Sequence, residues 1–121
     1  MKILIVEDEL LIARVYAIHL KSAGHTVLGS VTHPDPAREL ISKELPDALV
    51  LDINLKGGAD GIAFARELRE TYSFPILFTT GNSKIRTLEE ISDISNCDVM
   101  SKPIEATALI KRLKEMTSNL P

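Results

Sequence analysis

The chain has a single cysteine, Cys97, no tryptophan and only 4% aromatic residues. One cysteine cannot form an internal disulfide, so the fold must be held together by an apolar core. The sequence lacks an apolar run long enough to span a bilayer and a secretory leader pattern, so we expect a cytoplasmic protein that does not enter a membrane. Basic and acidic residues are interspersed at a net charge of −3, which predicts no direct binding to nucleic acid.

The chain does contain enough apolar sequence for one core. Of its 121 residues, 45% are apolar and 26% are charged, a composition typical of a single globular domain. We therefore expect one domain over residues 1–121. The last helical pattern ends near Met116, so residues 117–121 are predicted to be a tail or the start of a linker.

Five short apolar runs alternate with five longer segments whose apolar residues recur at helical spacing. The runs are apolar at consecutive positions, which is typical of strands covered on both faces and indicates a parallel sheet between two helix layers. The sequence thus predicts an α/β fold with a doubly wound, five-stranded parallel sheet. Asp35 and Pro36 are typical of the cap and the first position of the second helix. The predicted strands are 3–6, 26–31, 48–53, 75–79 and 97–100, and the predicted helices are 9–24, 35–45, 59–70, 84–95 and 104–116.

Polar side chains follow four of the five predicted strands at their carboxyl ends. Open parallel sheets bind ligands at this edge, near the point where the strand order reverses, so we expect these side chains to share one site. Asp52 is the most informative of them, because a bare carboxylate at the end of a strand buried on both faces is costly unless it is paired or metal-bound. The set comprises Glu7, Asp8, Asp52, Thr79, Thr80, Ser101 and Lys102.

These residue types suit a cation site and are compatible with phosphoryl chemistry. Carboxylates that are forced together repel one another unless a cation lies among them. A hard divalent ion such as Mg²⁺ takes carboxylate and phosphate oxygens as ligands. The carboxylate of Asp52 can itself attack phosphorus, and a lysine and a hydroxyl can then neutralise the transferred group.

In order and spacing, the acidic pair, Asp52, the threonine and Lys102-Pro103 resemble the signature of the receiver domain of bacterial response regulators. The resemblance covers essentially the whole chain, and Asp60-Gly61 at the start of the third helix adds to it. It implies a flavodoxin-like, CheY-like fold with strand order 2-1-3-4-5. It also implies a signalling domain, not an enzyme acting on a separate substrate. In that family the residue matching Asp52 accepts a phosphoryl group, with Mg²⁺, from a histidine kinase or a histidine phosphotransfer protein.

The family pattern also assigns the metal ligands. It implies that Asp8 and Asp52 bind Mg²⁺ directly and that Glu7 helps directly or through water. The backbone carbonyl of Asn54 would be the third protein ligand.

The remaining roles belong to a hydroxyl and to the lysine. Thr80 is expected to donate to a phosphoryl oxygen because it precedes the small Gly81, as in the family's Thr-Ala or Thr-Gly pairs, and Thr79 should then point elsewhere. Lys102 is expected to contact another phosphoryl oxygen as a compact charge. The family usually has a cis bond before the matching proline, so we predict a cis Lys102-Pro103 bond.

Two positions depart from the family pattern. Lys56 stands where the family commonly has proline, and the loop is longer by one residue, so we expect a looser loop. Val99 stands where the family has its switch aromatic, so no ring can rotate there. The string FTTGN, 78–82, is similar to a Phe-x-Thr-Gly subgroup that lacks this aromatic and partners HWE-type kinases. We expect the signal to leave through the fourth helix, which has a thin apolar stripe of Ile85, Leu88, Ile91 and Ile94.

Other classes of protein fit less well. A phosphatase of the haloacid dehalogenase type needs a second aspartate where this chain has Asn54. A nucleotide or flavin binder needs a phosphate-cradling loop after the first strand, where acidic residues would repel phosphate. A pseudo-receiver, which keeps the fold as an interaction module without the chemistry, stays open as an alternative. The output partner would be a downstream protein or an output domain missing from this chain.

Overall fold

Every predicted strand and helix is present in the computed structural model, which describes residues 1–118. The strands are β1 (Lys2–Val6), β2 (Thr26–Val31), β3 (Ala48–Asp52), β4 (Ile76–Thr80) and β5 (Cys97–Ser101). The helices are α1 (Leu10–Ser22), α2 (Pro34–Lys43), α3 (Gly61–Arg69), α4 (Lys84–Glu90) and α5 (Ala106–Ser118), with one turn of 3₁₀ helix at Lys56–Gly58.

The five strands form one parallel sheet in the order β2-β1-β3-β4-β5, which confirms the predicted order. The order reverses between β1 and β3, so the loops that follow these two strands leave the sheet on opposite sides and open a crevice at its carboxyl edge. In the β3–β4 pair, Asp52 stands opposite Thr79. This edge is where the sequence placed the site.

Each face of the sheet has its own apolar core, because the strands are apolar at consecutive positions. One face packs on α2, α3 and the segment after α4, and we call it the α3 face. The other packs on α1 and α5, and we call it the α1/α5 face. Each fully buried aliphatic side chain contributes roughly 1.5–3 kcal/mol, so the two cores together hold the sheet rigidly under its polar edge. The buried strand residues are Leu4, Val6, Leu49, Leu51, Ile76, Phe78 and Val99 on the α3 face, and Ile3, Ile5, Ala48, Val50 and Leu77 on the α1/α5 face.

The start of α2 differs from the prediction. The cap is His33, whose Nδ1 accepts a hydrogen bond from the Asp35 nitrogen at 3.2 Å, and the helix begins at Pro34. Both prolines fall in the first turn, where a missing N–H costs nothing because that nitrogen has no partner within the helix. The helix therefore begins earlier than the Asp35-Pro36 pair suggested.

The fourth helix is shorter than predicted, and the prediction that its apolar residues form one stripe along the helix is wrong. Ile85 and Leu88 are 72% and 43% exposed, and the buried residue of α4 is Thr87. Ile91 and Ile94 are buried, but they lie after the helix, where the chain turns toward β5. The helix is thus anchored mainly at its carboxyl end.

The chain end also differs from the prediction. Instead of ending near Met116, α5 continues to Ser118, and the Thr117 hydroxyl donates to the Leu113 carbonyl at 2.9 Å. Residues 119–121 of the expected tail lie outside the described residues. Within 1–118, the helices are all too short or too polar to cross a membrane.

Candidate functional site

Asp52 ends β3 with its side chain in the crevice, and the residue is only 3% exposed. Its Oδ1 accepts a hydrogen bond from the backbone nitrogen of Asn54 at 3.1 Å. Its Oδ2 accepts one from the Lys102 side chain at 2.9 Å. Both carboxylate oxygens are therefore paired, which explains how a strand buried on both faces can end in an acid.

Lys102 reaches Asp52 from the end of β5. Its backbone nitrogen donates to the Thr80 carbonyl at 2.7 Å, and the Lys102-Pro103 bond is cis, as predicted. The side-chain nitrogen also lies 2.8 Å from Glu7 Oε1. Burial acts to lower the pKa of Lys102, but the close carboxylates of Glu7 and Asp52 outweigh burial and raise that pKa. Lys102 is therefore charged at any physiological pH.

Glu7, directly after β1, is 1% exposed. Its Oε2 accepts a hydrogen bond from the Glu9 nitrogen at 3.1 Å. Its Oε1 is within ion-pair distance of Lys102 but has no well-aligned hydrogen bond among the described residues. Burial raises the pKa of Glu7 to about 7, although Lys102 opposes the rise. The pocket therefore contains one carboxylate that is poorly satisfied by the protein alone.

The fit of this pocket to a hard cation can be judged from its oxygen atoms. Glu7, Asp8 and Asp52 are all buried, and each offers a carboxylate oxygen within 4.8 Å of the others. Octahedral Mg²⁺ has ligand distances of about 2.1 Å, which places its oxygens roughly 3–4 Å apart. An all-oxygen set with one poorly satisfied carboxylate matches that ion. The three predicted acids are thus brought together as expected.

The loop after β3 contains Asn54, the fourth predicted ligand. Asn54 forms a single antiparallel bridge with Asp60, and the flanking hydrogen bonds run from Leu55 to the Ala59 carbonyl and from Gly61 to the Ile53 carbonyl. Neither bond uses the Asn54 carbonyl. Its backbone nitrogen is already held by Asp52, so the loop is tied to the acid.

The third helix closes tightly on this loop. The side chain of Asp60 caps α3 by accepting from the Ile62 nitrogen at 2.9 Å. A Cβ atom at Gly61 would overlap the carbonyl oxygen of Asp52. Glycine is therefore required for the helix to approach the strand end this closely.

The two threonines of β4 point to opposite faces of the sheet. Thr80 is fully buried, and its Oγ1 accepts a hydrogen bond from the Asn82 nitrogen at 3.0 Å. Thr79 points away from Thr80, as expected, but it is the strand partner of Asp52 and shares its face. A sequence apolar on both faces carries no alternation, so this shared face could not be read from it.

Tyr16 is a residue near the site that the sequence gave no reason to choose. It lies on α1, is 3% exposed and packs in the α1/α5 core. Burial raises the pKa of its phenol, and the charge of Glu7 adds to the rise. The phenol therefore lies close enough to Glu7 for the charge of that acid to affect its pKa. Helical spacing alone marked it only as a core residue.

A polar cleft of about 640 Å³ opens beside the pocket, between the loop after β3 and helix α4. It is lined by Asn54, one of the predicted ligands, by Asn82, which follows Thr80 and Gly81, and by Arg86 and Glu90 of α4. Val99 lies below on the α3 face and is fully buried, so it fills its place without a movable ring. The turn at Asn82 connects Thr80 to Ser83, the cap of α4.

A doubly wound parallel sheet of this order, with an acidic pocket and a lysine at its carboxyl edge, defines a CheY-like signalling domain. The family model described as response regulator receiver domain matches residues 3–114. The chain belongs to this family.

Solved structures of receiver domains support the assignment. The receiver domain of NtrX from Brucella abortus has a TM-score of 0.88 at 28% identity, and the match covers 98% of this chain and 99% of that one. The BeF3-activated N-terminal receiver domain of RstA from Klebsiella pneumoniae has a TM-score of 0.85 at 28% identity, covering 97% and 98%. The signal receiver domain of a modulated diguanylate cyclase from Desulfovibrio desulfuricans G20 has a TM-score of 0.81 at 32% identity, covering 96% and 91%.

Proposed function

We propose that residues 1–121 act as one phosphoacceptor domain, in which Asp52 takes a phosphoryl group and the change alters partner binding. The observation that carries the proposal is the pairing of buried Asp52 with Lys102 at 2.9 Å, inside a cluster of three acids. A structural ion pair needs one acid, whereas this pocket contains three around a single lysine. The excess of acid favours a site for a cation and an anionic group.

The transfer step is a displacement at phosphorus. An oxygen of the Asp52 carboxylate forms the new P–O bond while the P–N bond of a phosphohistidine breaks, and the imidazole leaves with the electron pair and takes up a proton from water. With acetyl phosphate as donor, a P–O bond breaks and acetate leaves. Such transfer requires positioning and neutralisation of charge more than covalent work by the protein.

Glu7, Asp8 and Asp52, with the Asn54 carbonyl, would hold Mg²⁺. When bound, the ion neutralises charge on the phosphoryl oxygens and on the acids. Lys102 turns from the Asp52 carboxylate to a phosphoryl oxygen, because the ammonium is mobile on its stem and already lies at the reacting group. Thr80 exchanges its Asn82 contact for a hydrogen bond to another phosphoryl oxygen.

The change of hydrogen-bond partner at Thr80 would transmit phosphorylation of Asp52 to α4. The Thr80 hydroxyl oxygen currently accepts from the Asn82 nitrogen, one residue before the cap of α4 at Ser83. Movement of Thr80 therefore shifts the start of α4, whose exposed Ile85 and Leu88 are weakly anchored. This route needs no aromatic at Val99. The phosphorylated form would present a changed α4 surface to a downstream protein or to an output domain outside this chain.

The donor would be a histidine kinase or a histidine phosphotransfer protein, in the cytoplasm, where a lone thiol such as Cys97 stays reduced. A donor must dock beside the acidic pocket, and an apolar surface is available there. Four large side chains of α1 are exposed, next to a cleft of about 530 Å³ that Asp8 also lines. The FTTGN string favours an HWE-type kinase. The exposed residues are Leu10, Leu11, Val15 and Ile18.

A beryllofluoride titration followed by NMR tests the proposal against the pseudo-receiver. With Mg²⁺ present, we expect amide shifts at Asn54, Thr80 and Lys102, and no such shifts in Asp52→Asn. A pseudo-receiver would show unchanged amides in both proteins. That result would reject phosphorylation at this site.

A further inference from the structure

Thr79 lies beside Asp52 in the sheet. The two residues are partners in the parallel β3–β4 register, and their neighbours show which face they share. Val50 and its partner Leu77 both belong to the α1/α5 core. Side chains alternate along a strand, so Asp52 and Thr79, two residues further on, point to that same face.

The Thr79 hydroxyl has no hydrogen-bond partner among the described residues, although the residue is only 1% exposed. A buried hydroxyl without a partner is unfavourable, and native proteins contain few of them. Valine has the same shape and would fill this place without that cost. The presence of threonine at this position is therefore explained if its hydroxyl forms a hydrogen bond in another state of the protein, which valine could not do.

A second oxygen without an aligned hydrogen bond flanks Asp52 on its other side, although it lies within ion-pair distance of Lys102. The β1–β3 register, in which Val6 pairs with Leu51, brings Glu7 next to Asp52 as the strands end. Glu7 Oε1 lacks an aligned hydrogen bond, as does the Thr79 hydroxyl. A row of Glu7, Asp52 and Thr79 thus crosses the sheet edge, and Lys102 is the donor that two of its members share.

We propose that the Thr79 hydroxyl is a second hydrogen-bond donor to the Asp52 carboxyl group during phosphoryl transfer, a role that rests on the proposed function. When Lys102 turns to the phosphoryl group, the Asp52 oxygens lose a donor. Neighbouring strands are about 4.8 Å apart, so a rotation of the Thr79 side chain brings its hydroxyl to Asp52. In the resting state Lys102 is the side-chain donor to Asp52 and the Thr79 hydroxyl is unused. The Thr79 contact therefore forms only after Lys102 has turned away, while the P–O bond is partly formed and the Asp52 oxygen still carries part of its negative charge.

This role has a kinetic signature. A donor that stabilises the partly bonded state accelerates both the formation and the hydrolysis of the aspartyl phosphate, because both pass through an Asp52 oxygen that carries charge. Thr79→Val should therefore slow labelling by acetyl phosphate and lengthen the phosphoryl lifetime, each by about three- to tenfold, the effect of one hydrogen bond. Thr79→Ser, which keeps the hydroxyl, should restore both rates.

Thermal stability distinguishes a role of Thr79 in the reaction from an effect of its packing. Thr79→Val removes an unpaired buried hydroxyl, so its melting temperature should rise while both rates fall. Thr71→Val, the same change at an exposed position at the other end of the sheet, should leave both rates unchanged. The measurements are intact mass against time for labelling and decay, and thermal unfolding of each variant.

Each alternative result has a definite meaning. Unchanged rates in Thr79→Val, or equal losses in the valine and serine variants, would overturn the role of Thr79 and leave the proposed function standing. A faster loss of phosphate in Thr79→Val would overturn it as well, because the effect would then lie in the phosphorylated state. If the wild type takes no phosphate at all, the proposed function fails and this role fails with it.

Discussion

The side-chain nitrogen of Lys102 lies 2.9 Å from Oδ2 of Asp52, a residue fifty positions earlier in the chain. The same nitrogen lies 2.8 Å from Glu7. One ammonium group therefore contacts two buried acids, and the ends of three different strands meet at it. The charge of the pocket, the fold around it and the proposed chemistry all depend on this contact.

Lys102→Ala tests that dependence. Removing the cation leaves two buried acids unpaired, so the variant should lose roughly 2–3 kcal/mol of unfolding free energy, less than a fully buried pair because water reaches Lys102. Mg²⁺ should restore part of the loss by replacing the missing positive charge. Urea unfolding with Mg²⁺ and with chelator measures both effects. Lys84→Ala, at an exposed position of α4, is the control, and equal losses in the two variants would contradict the account.

Magnesium affinity should depend on pH through Glu7. Burial raises the pKa of Glu7 to about 7, and metal binding requires the deprotonated acid. Affinity should therefore weaken as the pH falls below about 7, as measured by calorimetric titration. Glu7→Gln should remove most of this dependence. The same steep pH dependence in that variant would show that another group is responsible.

The raised pKa of Glu7 also affects the stability of the metal-free protein, which should fall with rising pH whereas the affinity for Mg²⁺ should increase. The folded state holds a proton on Glu7 up to about pH 7, whereas the unfolded chain releases it near the ordinary value of 4.5. Between these values the folded state binds more protons, so stability should fall as the pH rises through this window. Urea unfolding in chelator at several pH values measures this fall.

Gly61→Ala should disturb the site without touching a polar group. The added methyl would overlap the Asp52 carbonyl, so strand end or helix must move, at a cost of about 1–3 kcal/mol. We expect lower stability and slower phosphorylation. Gly81→Ala is the matched control, because nothing lies within 4 Å of a methyl there. Wild-type labelling in Gly61→Ala would show that this close approach is dispensable.

Helix α4 should move at its amino end on activation. Its carboxyl end is held by Arg66, which donates to the Glu90 carbonyl at 2.9 Å and pairs with Asp93 at 3.2 Å. Its amino end is anchored mainly through Thr87 and the turn at Asn82. Beryllofluoride with Mg²⁺ should therefore change amide hydrogen exchange in residues 84–88 more than in residues 89–94. Exchange that stays unchanged over 84–88 would contradict this route for the signal.

Sequence patterns were sufficient for the strands and the polar edge of the sheet. Runs that are apolar at consecutive positions, such as 48–51, admit few alternatives to a strand covered on both faces. Residues such as Asp52 and Lys102 stand at strand ends, where chain order alone brings them together. Spacing along the chain therefore indicated which polar side chains share the edge of the sheet, whereas their individual roles came from the resemblance to receiver domains.

The same patterns did not predict where α4 ends or which face of the sheet Thr79 shares with Asp52. Helix α4 ends at Glu90 because Ile91 and Ile94 are buried by the turn toward β5, a tertiary effect that helical spacing does not contain. The shared face of Thr79 and Asp52 depends on strand register, which a uniformly apolar strand does not reveal. The network around Glu7 likewise appears only once three strands are side by side.

The most direct test of the central claim is the intact mass of wild type and Asp52→Asn after incubation with acetyl phosphate, each with Mg²⁺ and with chelator. We predict a gain of one phosphoryl group in the wild type with Mg²⁺ only, and none in Asp52→Asn. A phosphoryl gain that persists in Asp52→Asn, or a wild type that gains none under any of these conditions, would contradict Asp52 as the phosphoacceptor.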